Sequence, residues 1–192
     1  MTKGEIIQLI KDATGNMFRD RTISLHVEKI WDQYTAQIFM QNPNEHNFYT
    51  KSYPDVQVVP VSNTNAIAYS LLPERIVQIN DTRKGCREIT LLKSPDLKFV
   101  PITMLGRKIY PKLEVGYLDK TIGFEVMTDR VLYDKPMKDI SVVNMRLCIP
   151  FSRWAITDDI PLPSGISSLI IDAAVSSIKG ESVPLNVYHK PK

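Results

Sequence analysis

Nucleophilic catalysis needs a Ser or Cys beside a base, and metal catalysis needs several ligands converging on one point. The residue types that could supply either are sparse. There are three histidines, His26, His46 and His189, and two cysteines, Cys86 and Cys148. His26 falls on a long helical pattern, His46 in the loop after it and His189 in the final segment, so no spacing brings a histidine beside a cysteine. G-x-S-x-G, H-E-x-x-H, P-loop and C-x-x-C patterns do not occur. The histidines therefore read as isolated surface side chains. Asp158 and Asp159 form an adjacent acidic pair that could hold a hard metal only if more oxygen ligands converged on it. No Asp/Glu cluster at ligand spacing accompanies them. They read instead as a turn before Pro-Leu-Pro, with acids favoured near a helix N-terminus. No catalytic, metal-binding or cofactor-binding residue is assigned, and no enzymatic activity or cofactor is expected.

Recognition of nucleic acid is the second chemistry to weigh. Single strands are held by stacking aromatics along a basic groove. "DQYTAQIF" and "NFYTKSYP" supply aromatics, but Lys51 is the one base among them. The formal net charge is +3, and the bases Lys11, Arg19, Arg21, Lys84, Arg87, Lys108 and Lys135 are spread along the chain as solvated surface charge. Trp154, Phe48, Tyr49 and Tyr53 suit either interface anchoring or core packing.

A chain of 192 residues, 43% hydrophobic and 23% charged, can bury a core of its own. Two cysteines give no disulfide framework and fit folding in a reducing compartment. Cys148, in the apolar run "MRLCIP", reads as a buried hydrophobe, and Cys86, after a turn glycine, as exposed. The first apolar block is too short for a signal peptide, and no run approaches a membrane span of about 20 apolar residues.

The elements follow from periodicity. Thr2 caps and Gly15 ends a short helix over about 2–14. Ile23, Val27, Ile30, Trp31, Tyr34 and Ile38 recur at steps of three and four, which predicts a helix over 22–40. From 48 to 150 the period shortens. "VQVVPV", "RIVQI", "REITLL", "KFVPITM", "LEVGYL", "TIGFEVM" and "ISVVNMRLCIP" read as strands separated by turns, and "KLEVGYLDKTIGFEVM" as a hairpin with Asp119-Lys120 at its tip. A third helix is expected over 164–179, with Ser164 as N-cap and Gly180 as its stop. It is apolar on two sides. Ile166, Leu169, Ile170, Ala173, Ala174 and Ile178 form one stripe, Ile171 and Val175 add a second, and Leu169 and Ile170 are expected in the core. The last segment, 181–192, alternates Val183, Leu185 and Val187 with polar or bulky residues and reads as an extended arm able to add to a sheet edge in trans. The expected fold class is α+β: N-terminal helices, an antiparallel sandwich- or barrel-like domain and a late helix in one domain of 1–180, then the arm.

This order of elements resembles the head-to-tail connector proteins of tailed phages, in particular the adaptor or ring proteins beneath the portal in short-tailed and crAss-like phages. The matching pieces are the helix "ISLHVEKIWDQYTAQIF" and the stretch "DDIPLPSGISSLIIDAAV", in which an acid-Pro-Leu-Pro turn launches a late helix. The resemblance covers most of the chain in order and character. It implies a virion structural protein in the neck between capsid and tail, made in the host cytoplasm. It further implies a homo-oligomeric, dodecameric ring that binds the portal on one face and a tail or second ring protein on the other. Double-stranded DNA would pass through the ring without sequence-specific binding, and no membrane is involved. A ring needs two different patches on each subunit. Ile30, Trp31 and Tyr34 of the long helix, Ile171, Val175 and Ile178 of the late helix, and Val183, Leu185, Val187 and Tyr188 of the arm are the expected interface residues. The alternative reading is a nucleic-acid-binding β module with helical decorations.

Overall fold

The computed structural model describes residues 1–42, 47–61, 68–91, 96–103, 120–135, 137 and 139–180. The fold is α+β, with two helices first and one last among the described residues. The chain divides into two compact units: Met1–Tyr34 with the segment from Pro150 onward, and Thr35–Ile149.

The first unit is helical. Helix α1 (Lys3–Ala13) opens with a reciprocal capping box. The Glu5 amide donates to Thr2 Oγ1 at 3.2 Å and the Thr2 amide to Glu5 Oε2 at 2.7 Å, which satisfies two of the donors a helix start leaves open. Helix α2 (Asp20–Gln41) begins two residues before the sequence expectation, and Asp20 pairs with Lys11. Its stripe Ile23, Val27, Ile30, Trp31 and Tyr34 is buried as the periodicity predicts. Helix α3 (Ile166–Lys179) starts one position later than Ser164 would allow. Its N-cap is Gly165, at φ +82°, a conformation that glycine adopts without the steric cost of a Cβ. Ile166, Ile170 and Ala174 form the buried stripe of α3, whereas Leu169 is 40% exposed, not in the core as its composition suggested. Adjacent helical residues point about 100° apart, so Leu169 and Ile170 cannot share one narrow contact line.

The second unit holds two sheets. β1 (Lys51–Gln57), β8 (Val142–Leu147) and β4 (Cys86–Thr90) form one in the order β1-β8-β4, all antiparallel. β2 (Val59–Pro60), β3 (Ala68–Leu71), β7 (Arg130–Tyr133), β6 (Thr121–Val126) and β5 (Lys98–Pro101) form the other in the order β2-β3-β7-β6-β5. The expectation of a purely antiparallel domain is corrected here: β5 and β6 run parallel. Among the described residues neither sheet closes into a barrel. β6 is bordered by β5 and β7, and the first half of the expected hairpin, with Asp119, lies outside the described residues. "RIVQI" is not a strand, although Ile76, Val77 and Ile79 are buried. The Val77 amide donates to the Cys148 carbonyl at 2.9 Å, so the segment packs without entering the ladder of either sheet.

Alternation on β8 is clean, with Val143, Met145 and Leu147 buried and Val142, Asn144 and Arg146 half-buried, as expected of a strand with one face on a core. In β6, Ile122, Gly123 and Phe124 are buried in succession. Gly123 has a stated reason: a Cβ there would collide with the Asp134 carboxylate and the Ile102 side chain. That carboxylate accepts the Gly123 amide at 2.7 Å, and the Asp134 amide donates back to the Gly123 carbonyl at 3.0 Å. Cys86, expected on the surface, is fully buried because its strand pairs with β8 at Leu147.

The split between Leu169 and Ile170 gives a direct check. Ile170→Ala should lower stability by about 2–5 kcal/mol, as for a filled core site. Leu169→Ala should change it by less than about 1 kcal/mol. Chemical denaturation of the two variants against the parent measures both.

Candidate interaction surfaces

In the first unit, polar groups join the first residues of the chain to the segment 152–159. The Lys3 side chain is buried, and its Nζ donates to the Trp154 carbonyl at 2.7 Å and the Ser152 carbonyl at 3.0 Å. It also lies 5.4 Å from the centroid of the Phe151 ring. Burial holds its ammonium below the usual lysine range, and Glu28 and Asp158 pull it back. Beside it, Trp31 meets Phe151 and Trp154 at centroid distances of 6.3 and 6.5 Å. Trp154 is therefore a core residue, the second of the two roles its type allowed.

The acidic pair has two separate structural tasks. Asp158 Oδ2 accepts the Ala155 amide at 2.9 Å and closes the turn over 155–158. Asp159 Oδ1 accepts the Met1 ammonium at 2.5 Å. Gly4 donates its amide to the Ile156 carbonyl at 2.9 Å, with a Cβ at Gly4 just 3.0 Å from the Ile156 side chain. His26 Nδ1 lies 3.0 Å from Ser177 Oγ and ties α2 to α3.

The expected interface residues separate into three groups. Ile30, Trp31 and Tyr34 are buried inside the chain, because α2 turns its apolar stripe into the core. They are corrected from interface to core. Ile171, Val175 and Ile178 are half-buried on one flank of α3, and Leu169 is exposed on the other. Val183, Leu185, Val187 and Tyr188 lie outside the described residues, as do His46 and His189. Large apolar side chains the sequence reading did not single out are also exposed in this unit: Met17, Leu25 and Ile156.

The second unit contains a cavity of about 410 Å³ lined from β4, β5 and β6. Ile89, Val100, Phe99 and Phe124 supply apolar walls, and Arg83, Arg87 and Lys98 supply charge. Arg87 was expected in solvent with the other scattered bases, yet it is 2% exposed. Its guanidinium donates to Asp81 Oδ2 at 2.6 Å and the Lys84 carbonyl at 3.1 Å, and it stacks 4.2 Å from the centroid of Phe39. A planar, weakly hydrated guanidinium tolerates such burial better than an ammonium would. Glu88, also on the lining, pairs with Arg146 at 3.1 Å. Tyr49 packs edge-on against Phe39 at 6.1 Å and is core, while Phe48 remains partly exposed. The sequence signal for this site was the density of charge in 81–88, Asp-Thr-Arg-Lys-Gly-Cys-Arg-Glu, but its second wall comes from a separate strand. Among the described residues no group of three or more His, Cys, Asp or Glu side chains is placed to hold a metal ion, and no helix is long and apolar enough to cross a membrane.

Two measurements check these placements. Lys3→Met leaves the Ser152 and Trp154 carbonyls without their donor and should cost about 1–3 kcal/mol, whereas Lys11→Met on the same helix should cost under about 1 kcal/mol. Cys86 offers a pH test, because burial first pushes its thiol from an ordinary 9.0 to about 12, with Arg87 and Arg83 opposing the shift. The unfolded chain then loses this proton before the folded one does. Stability contributed by the neutral thiol is present below about pH 9 and should fall progressively between pH 9 and 12. Cys86→Ala should flatten that slope in denaturation measured across this range.

No protein-family model matches the chain, and no curated protein was found to be similar to it.

Proposed function

We propose that the protein is a virion structural component, a head-to-tail connector subunit that assembles into a ring between portal and tail and extends the DNA channel. Its work is assembly and not catalysis. The observation that carries this reading is the two-sided helix α3. One stripe, Ile166, Ile170 and Ala174, is spent on the core, while Leu169 stands 40% exposed on one flank of it and Ile171, Val175 and Ile178 are half-buried on the other. A helix with apolar residues left over after its own core is filled has a surface suited to a second contact. The order of elements, with the acid-Pro-Leu-Pro turn leading into this helix, supports the same reading through its resemblance to phage adaptors.

In this reading Leu169, on one flank of α3, belongs to one of the two patches that a cyclic, heterologous contact needs. Residues 181–192, which lie outside the described residues, supply a further contact with a neighbouring subunit or the portal.

Native mass spectrometry and electron microscopy of the full chain, alone and mixed with a portal, test it. A ring is expected in at least one condition. Leu169→Glu should abolish the ring while leaving the melting temperature within a few degrees of the parent, since the position is exposed. A protein that stays monomeric in both conditions, or a ring indifferent to this substitution, would overturn the assignment of α3 to the contact.

A further inference from the structure

We draw no further inference here: the strongest candidate, the cavity lined from β4, β5 and β6 in the second unit, has arginines that already interact with Asp81 and further walls of buried Ile89 and Phe124, and nothing in the structure shows what fills it.

Discussion

A lysine ammonium buried against backbone carbonyls 149 and 151 residues away holds the first unit closed. Lys3 arrives from the first turn of α1, and its acceptors lie on the short segment that leads toward α3. An ammonium has no acceptor capacity and must donate to whatever surrounds it, so its burial fixes both partners at once. The aromatic cluster of Trp31, Phe151 and Trp154 then excludes water around it. The consequence is topological. Because the two ends of the sequence meet in one unit, residues 35–149 form a second unit whose entry and exit both belong to the first. Contacts this distant in sequence carry a loop-closure entropy that local contacts do not.

The second unit meets a different constraint, that of close backbone approach. At Gly85 a Cβ would come within 2.6 Å of Ile76 Cβ and 2.8 Å of the Val77 carbonyl. At Gly123 it would collide with the buried carboxylate of Asp134, which is itself bound to the Gly123 amide. These two glycines let an unpaired segment and a charged side chain lie against strands where any larger residue would push them off. Cys86 and Arg87, both buried, follow Gly85 on β4, and Arg87 lines the cavity together with Arg83.

Helix α3 meets a third constraint. Its buried stripe, Ile166, Ile170 and Ala174, uses one line of the helix, and apolar side chains remain on both flanks, Leu169 on one and Ile171, Val175 and Ile178 on the other.

The sequence by itself determined the helices and several strands. The steps of three and four in α2, the glycine stops at Gly15 and Gly180, and the alternation in β8 are local patterns, and local patterns survive without knowledge of the partner. It also determined that Cys148 is buried; of the acidic pair expected in a turn, Asp158 closes one over 155–158, whereas Asp159 is bridged to Thr2. Other features were decided only in tertiary structure. "RIVQI" has strand composition but no ladder, while β7, "RVLY", and β3, "AYSL", are too short to rise above their surroundings. A parallel neighbour for β6 cannot be read from β6 itself, because residue alternation is the same in either direction. Which of Leu169 and Ile170 is buried depends on the rotation of α3 against α1 and α2, not on the nature of two similar side chains. Lys3 looks like surface charge until carbonyls 149 and 151 residues away are brought to it, and Arg87, whose Asp81 and Lys84 acceptors are local, looks so until Phe39 covers it. The cavity was legible only in half, as the charge-dense run that leads into β4. Its second wall, with Lys98 and Phe99, is supplied by a strand from another sheet, and only the packing of the two sheets places it there.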